Sequence, residues 1–161
     1  MGDNGMLIER KNSAQFCDDL RRKGKKIVFT NGCFDIIHAG HVRYLTAAKN
    51  FGDILIVGLN TDESVRRLKG NSRPINNQND RAEVLLGLKA VDYVIFFGEQ
   101  TAEALISEIK PAIYVKGGDY SLKTLPEAKI VQNFGGRVEF INLVAGKSTT
   151  NLIEKILMRL K

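Results

Sequence analysis

The chain contains two histidines, and both fall in the run His38-Ala39-Gly40-His41, where an apolar stretch gives way to helix-forming residues. Positions i and i+3 share one helix face, and the first turn of a helix offers free backbone N–H groups at the positive end of its dipole. Two imidazoles there can donate hydrogen bonds to phosphate oxygens without a fixed positive charge. Gly40 between them leaves room for a ligand to approach the backbone. The chemistry indicated is the binding of phosphate-bearing groups. Three other readings compete. The histidines could pack or cap. Cys33, His38 and His41 could hold zinc, although a fourth ligand and paired-cysteine spacing are missing. The glycines could belong to a dinucleotide fingerprint, but Gly-x-Gly-x-x-Gly is absent.

Such a loop needs rigid elements behind it. Residues 13–23 space apolar groups at helical intervals and stop at Gly24, with Ser13 expected as the cap. Residues 27–30 form a short apolar, β-branched run that feeds directly into the histidine loop, and 54–59 form a second one. Two buried strands joined through a helix must run parallel, because an antiparallel hairpin needs only a few residues between its strands. The alternation continues with helices expected near 62–68, 78–88, 101–109 (capped by Thr101), 126–133 and 148–160. The remaining strands are expected at 93–97, 112–115 and 137–141. The expectation is an α/β fold, a three-layer Rossmann-like open sheet of about five parallel strands with helices on both faces. Ligands of such sheets bind outside the carboxyl ends of the strands, which here means residues 31–41, 60–74, 98–101, 116–120 and 142–150.

Length and composition set the frame. A chain of 161 residues, 43% hydrophobic and 26% charged, suits one globular domain: a helical extension over 1–25 and a core over 26–161. No stretch is long and apolar enough to span a bilayer, and the first residues lack the order of a secretion signal. The expected location is the cytoplasm, with no membrane partner. Cys17 and Cys33 are read as free thiols. The net charge of +6 permits nucleotides, sugar phosphates or nucleic acid, and equally permits a merely soluble surface.

The run Thr30-Asn-Gly-Cys-Phe-Asp-Ile-Ile-His-Ala-Gly-His41, then Gly58-Leu-Asn-Thr-Asp62, Lys116-Gly-Gly-Asp-Tyr120 and Gly146-Lys-Ser-Thr-Thr150, resembles the cytidylyltransferase-like family of α/β nucleotidyltransferases. Asn31-Gly-Cys-Phe-Asp35, Asn79-Asp-Arg81 and the Lys-Gly-Gly-Asp-Tyr run look like its heptose 1-phosphate adenylyltransferase branch. The resemblance implies transfer of AMP from ATP to a heptose 1-phosphate, releasing pyrophosphate and giving ADP-heptose for lipopolysaccharide core or related glycans.

It further implies that His38 and His41 contact the triphosphate and that Lys69 reaches over the reacting phosphates. Arg81 would bind phosphate, and Mg²⁺ would travel with ATP and not in a protein-built metal site. Cys33, Phe34, Gly40, Lys116, Gly118, Asp119, Ser148, Thr149 and Thr150 would line the nucleotide, with Asp119 at the ribose or base. Asp35 would orient the loop or contact substrate. Arg66 and Arg67 are left as a solvated basic face. Val144-Ala-Gly-Lys147 departs from the family pattern, which puts the role of Lys147 in doubt.

Relatives are often dimers, so a homodimer is expected, and many are fused to a ribokinase-type sugar kinase for which these residues leave no room. The expectation is therefore a stand-alone second enzyme, with ATP and a sugar 1-phosphate as partners and no nucleic acid. The alternatives are a glycerol 3-phosphate cytidylyltransferase, which shares loop and fold, and a non-catalytic nucleotide- or RNA-binding module.

Overall fold

A computed structural model describes residues 5–118 and 120–160. In chain order the strands are β1 (Met6–Leu7), β2 (Ile27–Gly32), β3 (Ile54–Asn60), β4 (Tyr93–Phe97), β5 (Ile113–Gly117) and β6 (Arg137–Ile141). The helices are α1 (Ser13–Arg22), α2 (Ala39–Lys49), α3 (Asp62–Lys69), α4 (Gln78–Leu86), α5 (Glu103–Ile109), α6 (Ala128–Asn133) and α7 (Thr149–Arg159).

Period-two alternation in the strands builds three layers. Ile27 and Phe29 of β2 face one way, with Ile56, Ile95 and Tyr114, onto Cys17 and Leu20 of α1, Leu105 and Ile106 of α5, and Val131 of α6. Val28 faces the other way, with Leu55, Val57, Val94 and Val115, onto Leu45 and Ala48 of α2 and Ala82 and Leu85 of α4. Burying each large apolar side chain contributes about 1.5–3 kcal/mol, so the sheet is stabilised from both faces, as its near-continuous apolar strands require. No helix among the described residues is long and apolar enough to cross a membrane.

All strand pairs are parallel, in the order β1-β4-β3-β2-β5-β6. Connections from β2 run outward to β3 and β4, then return to β5 and β6 on its other side, so the winding reverses between β2 and β5. A crevice opens at such a point, and the loop after β2 carries both histidines.

Several boundaries differ from expectation. The sheet has six strands, because β1 adds an edge on β4 in a stretch expected to be only a helical extension; Met6 N–H donates to Asp92 O (3.0 Å) and Ile8 N–H to Val94 O (2.9 Å). β2 continues through Asn31 and Gly32, which pair with Gly58 and Leu59, and β5 continues through Lys116 and Gly117, which pair with Phe140 and Ile141. Ser13 does not cap α1: it is buried and donates to Glu108 Oε2 (3.0 Å), while Asn12 holds the cap position without a side-chain bond. Thr101 does not cap α5 either, since its hydroxyl donates to Glu103 Oε2 (2.8 Å) and Ala102 stands at the cap.

Candidate active site

A cavity of about 790 Å³ lies over the carboxyl ends of the strands and contains both histidines in its lining, a size suited to a small-molecule site. His38 is the cap residue of α2. Its Nδ1 accepts the Gly40 N–H (3.1 Å), and His41 Nδ1 accepts the His38 N–H (3.3 Å). This reciprocal pair satisfies two backbone donors of the helix start. It also sets the tautomer: with Nδ1 accepting in each ring, the proton sits on Nε2. The rings stack with centroids 3.9 Å apart at 29°, and Phe34 packs against His41 at 5.4 Å. His38 Nε2 is buried with no partner among the described residues, a donor suited to a ligand oxygen.

Both rings are neutral near neutral pH. Burial, then the neighbouring His38, pushes His41 down from 6.5 to about 4; burial, then the Lys147 charge, lowers His38. Between 6.5 and 4 the unfolded chain binds a proton at position 41 that the folded chain refuses. Stability is therefore full above the upper value and lost as pH falls through that window. Urea midpoints measured across it should decline in the native protein and decline less steeply in His41→Gln; identical slopes would contradict this environment.

Gly40 lines the cavity, and packing around it also calls for glycine. A Cβ at this position would meet the His38 ring at 2.9 Å and Lys147 Cβ at 3.1 Å, so the space beside the backbone is already taken by the ring and by the loop before α7.

Asp35 is in the cavity lining and is tied down by the segment after α3. Its carboxylate accepts the Ile75 and Asn76 backbone N–H groups (2.9 Å each) and Arg73 Nε (2.6 Å), tying the histidine loop to the segment after α3. Burial alone would raise its carboxyl, but the two backbone donors and the Arg73 guanidinium outweigh it and hold it below the usual range. Arg81 departs from the expected phosphate contact. Its side chain is wholly buried and absent from the cavity lining. It donates to Asn76 O (3.0 Å), Cys33 O (2.6 Å), Asn60 O (2.9 Å) and Asp62 Oδ1 (2.8 Å), joining the histidine loop, the end of β3 and the start of α4 from behind.

Cys33, Phe34, Lys69, Lys116, Ser148, Thr149 and Thr150 all line the cavity. Lys69 is the exposed last residue of α3. Ser148 caps α7 by accepting the Asn151 N–H (3.0 Å), and Thr149 Oγ1 donates to Ile36 O (3.2 Å), which fastens α7 to the histidine loop. Lys147 lines the cavity too, so the departure from the family pattern places a cation there. Gly118 adopts φ 103° and is not in the lining; Asp119 lies outside the described residues. Burial lowers Lys116, whose Nζ sits 5.4 Å over the Tyr120 ring.

Among the lining residues that sequence reasoning did not single out are Tyr44 and Glu127. Tyr44 stands one turn beyond His41 on the same face of α2, a spacing that could have found it. Its hydroxyl donates to Val115 O (3.1 Å) and pairs with Thr30 Oγ1 (2.7 Å), spanning the ends of β2 and β5. Glu127, buried before α6, sits in a stretch read as the start of a helix, and no local signal marks it.

Residues 29–155 match the family described as cytidylyltransferase-like. The bifunctional protein HldE of Syntrophotalea carbinolica is 54% identical over 139 residues, 86% of this chain and 28% of that protein. The protein of the same name from Aliarcobacter butzleri is 55% identical over 137 residues, again 28% of its length. The chain thus spans little more than a quarter of these curated relatives. Among solved structures, the lipopolysaccharide core biosynthesis protein from Thermoplasma volcanium is 31% identical with a TM-score of 0.60, covering 75% of this chain and 98% of that one.

Proposed function

The chain belongs to the cytidylyltransferase-like family, and on that premise we propose that it is a nucleotidyltransferase moving AMP from ATP onto a heptose 1-phosphate. The observation that carries this reading is the stacked histidine pair in the lining of a cavity at the sheet's point of reversal, whose Nδ1 atoms both accept backbone N–H groups and so leave Nε2–H as the remaining donor of each ring.

A sugar phosphate is ionised at neutral pH, so its oxygen can attack the α-phosphorus without a strong general base. The new P–O bond forms as the bond to the β-phosphate breaks and pyrophosphate leaves. The protein's part is alignment and stabilisation of the charge that develops, where one well-placed donor is worth about 2.7–4 kcal/mol. His38 and His41 supply neutral donors to the reacting phosphate. Lys69, Lys147, the hydroxyls of Ser148 and Thr150 and the free N–H groups of the first turn of α7 supply the remaining positive field. Asp35 and Arg81 position the loop and touch neither substrate.

Mg²⁺ is assigned to the triphosphate and would neutralise the leaving pyrophosphate when bound. The donor set fits that assignment, because Asp35 is fully engaged and both histidines use Nδ1 on the backbone. Residues 26–161 form the proposed catalytic unit, with a homodimer as the working assembly and the cytoplasm as its location. The heptose assignment is supported by relatives named bifunctional, of which this chain matches one segment, and by a relative named for lipopolysaccharide core biosynthesis.

Pyrophosphate release from each NTP, paired with heptose 1-phosphate or glycerol 3-phosphate, tests the reading. Turnover is expected with ATP and heptose 1-phosphate. Turnover confined to CTP and glycerol 3-phosphate would overturn the choice of substrate.

A further inference from the structure

The cavity has two walls of different chemistry. The wall below α2 and α7 is cationic and rich in donors, as phosphates require. The opposite wall, on the α5 and α6 side of the sheet, presents Asn31, Gln100, Thr101 and Glu127, with Lys116 near enough to Glu127 to feel its charge. Two carboxylates line the cavity among the described residues. The oxygens of Asp35 are all taken by the segment that follows α3, so Glu127 is the one left to face a ligand.

Glu127 is 4% exposed. It is held from behind by the Ala102 N–H (3.5 Å) and neighbours the Tyr114 hydroxyl. Tyr114 donates to Asn31 Oδ1 (2.6 Å), which fixes the Asn31 amide by its oxygen. A buried carboxylate repels phosphates and accepts hydrogen bonds from neutral hydroxyls. Beside two amides and a threonine, it makes a surface for a group carrying several hydroxyls in fixed array.

We propose that Glu127, with Asn31 and Gln100, forms the subsite for the hydroxyl-bearing end of the acceptor, and that Glu127 determines which polyol phosphate is accepted. This rests on the nucleotidyl-transfer reading above. Lys116 beside Glu127 offsets its charge, so the orientation comes from hydrogen bonding: the carboxylate and the amides take the hydroxyl tail, and the donors of the α2 and α7 wall take the phosphate.

Steady-state kinetics on the full chain test it, with heptose 1-phosphate and with mannose 1-phosphate, which lacks the last hydroxylated carbon. In Glu127→Gln the KM for heptose 1-phosphate should rise about ten- to a hundred-fold, the loss expected of one charged hydrogen-bond acceptor. The KM for ATP should stay within about two-fold. The preference for the seven-carbon acceptor should shrink. Gln100→Ala, at an exposed position, should move the acceptor KM in the same direction by a smaller factor, and it decides the matter if a thermal melt shows Glu127→Gln unfolded. A rise in KM for ATP with the acceptor unaffected would overturn the proposal and place the ribose there instead. An unchanged acceptor KM in the folded variants would overturn it as well. A native protein that transfers to no sugar phosphate would instead defeat the transfer reading, and this subsite with it.

Discussion

Replacing His41 by Ala is expected to lower kcat by about two to four orders of magnitude, while the Kd for ATP changes by less than about five-fold. The ring does two things at once. In the proposed mechanism its Nε2–H donates to the phosphate that gathers charge, and its Nδ1 holds the His38 N–H at the start of α2. Its stacking against His38 at 3.9 Å also keeps the second donor aimed. The nucleotide retains the α7 corner and the lysines, so binding survives better than rate. Asn at position 41 keeps an N–H donor of shorter reach and should fall between the two. Steady-state rates with nucleotide titration of the same preparation give both quantities. A normal rate in the alanine variant would remove the histidines from the mechanism and favour a binding module.

Arg81→Ala is expected to destabilise the fold by about 3–5 kcal/mol, the range for truncating one partner of a buried charged network. The guanidinium is wholly buried and reaches three carbonyls and one carboxylate. Without it, Cys33 O and Asn60 O lose their donors inside the protein, and each such loss carries a desolvation penalty. Because those carbonyls belong to the histidine loop and the end of β3, activity should fall with stability. Lysine should not rescue, since one ammonium cannot present the planar fork that meets partners on both sides. Chemical denaturation compared with the native chain measures the effect; a loss below about 1 kcal/mol would show that the loops hold without it.

Much of this site is legible in the sequence because rare residues are placed tellingly. Two histidines in a whole chain, one helical turn apart where a strand passes into a helix, leave few roles to choose among. The sheet is legible for a similar reason, as apolar β-branched runs separated by helical periods have few parallel arrangements. What stays hidden depends on burial and on contacts far apart in sequence. Arg81 sits among polar residues at a helix start and resembles a surface cation, and only the convergence of three segments makes it internal. Asp35 leaves two readings open, and its ion pair with Arg73, nearly forty positions later, supports the loop-orienting one. Glu127 carries no periodic or motif signal, and its meaning comes from Tyr114 and Ala102 beside it. The two-residue strand β1 has no room for a pattern, so backbone pairing with β4 reveals it.

The most direct test follows the phosphorus. ATP labelled at its α-phosphate, incubated with the protein and heptose 1-phosphate, should pass its label into a nucleotide sugar that resists phosphatase, with unlabelled pyrophosphate released in equal amount. Label found only in ADP, with a doubly phosphorylated sugar formed beside it, would mean attack at the γ-phosphate and would contradict the account.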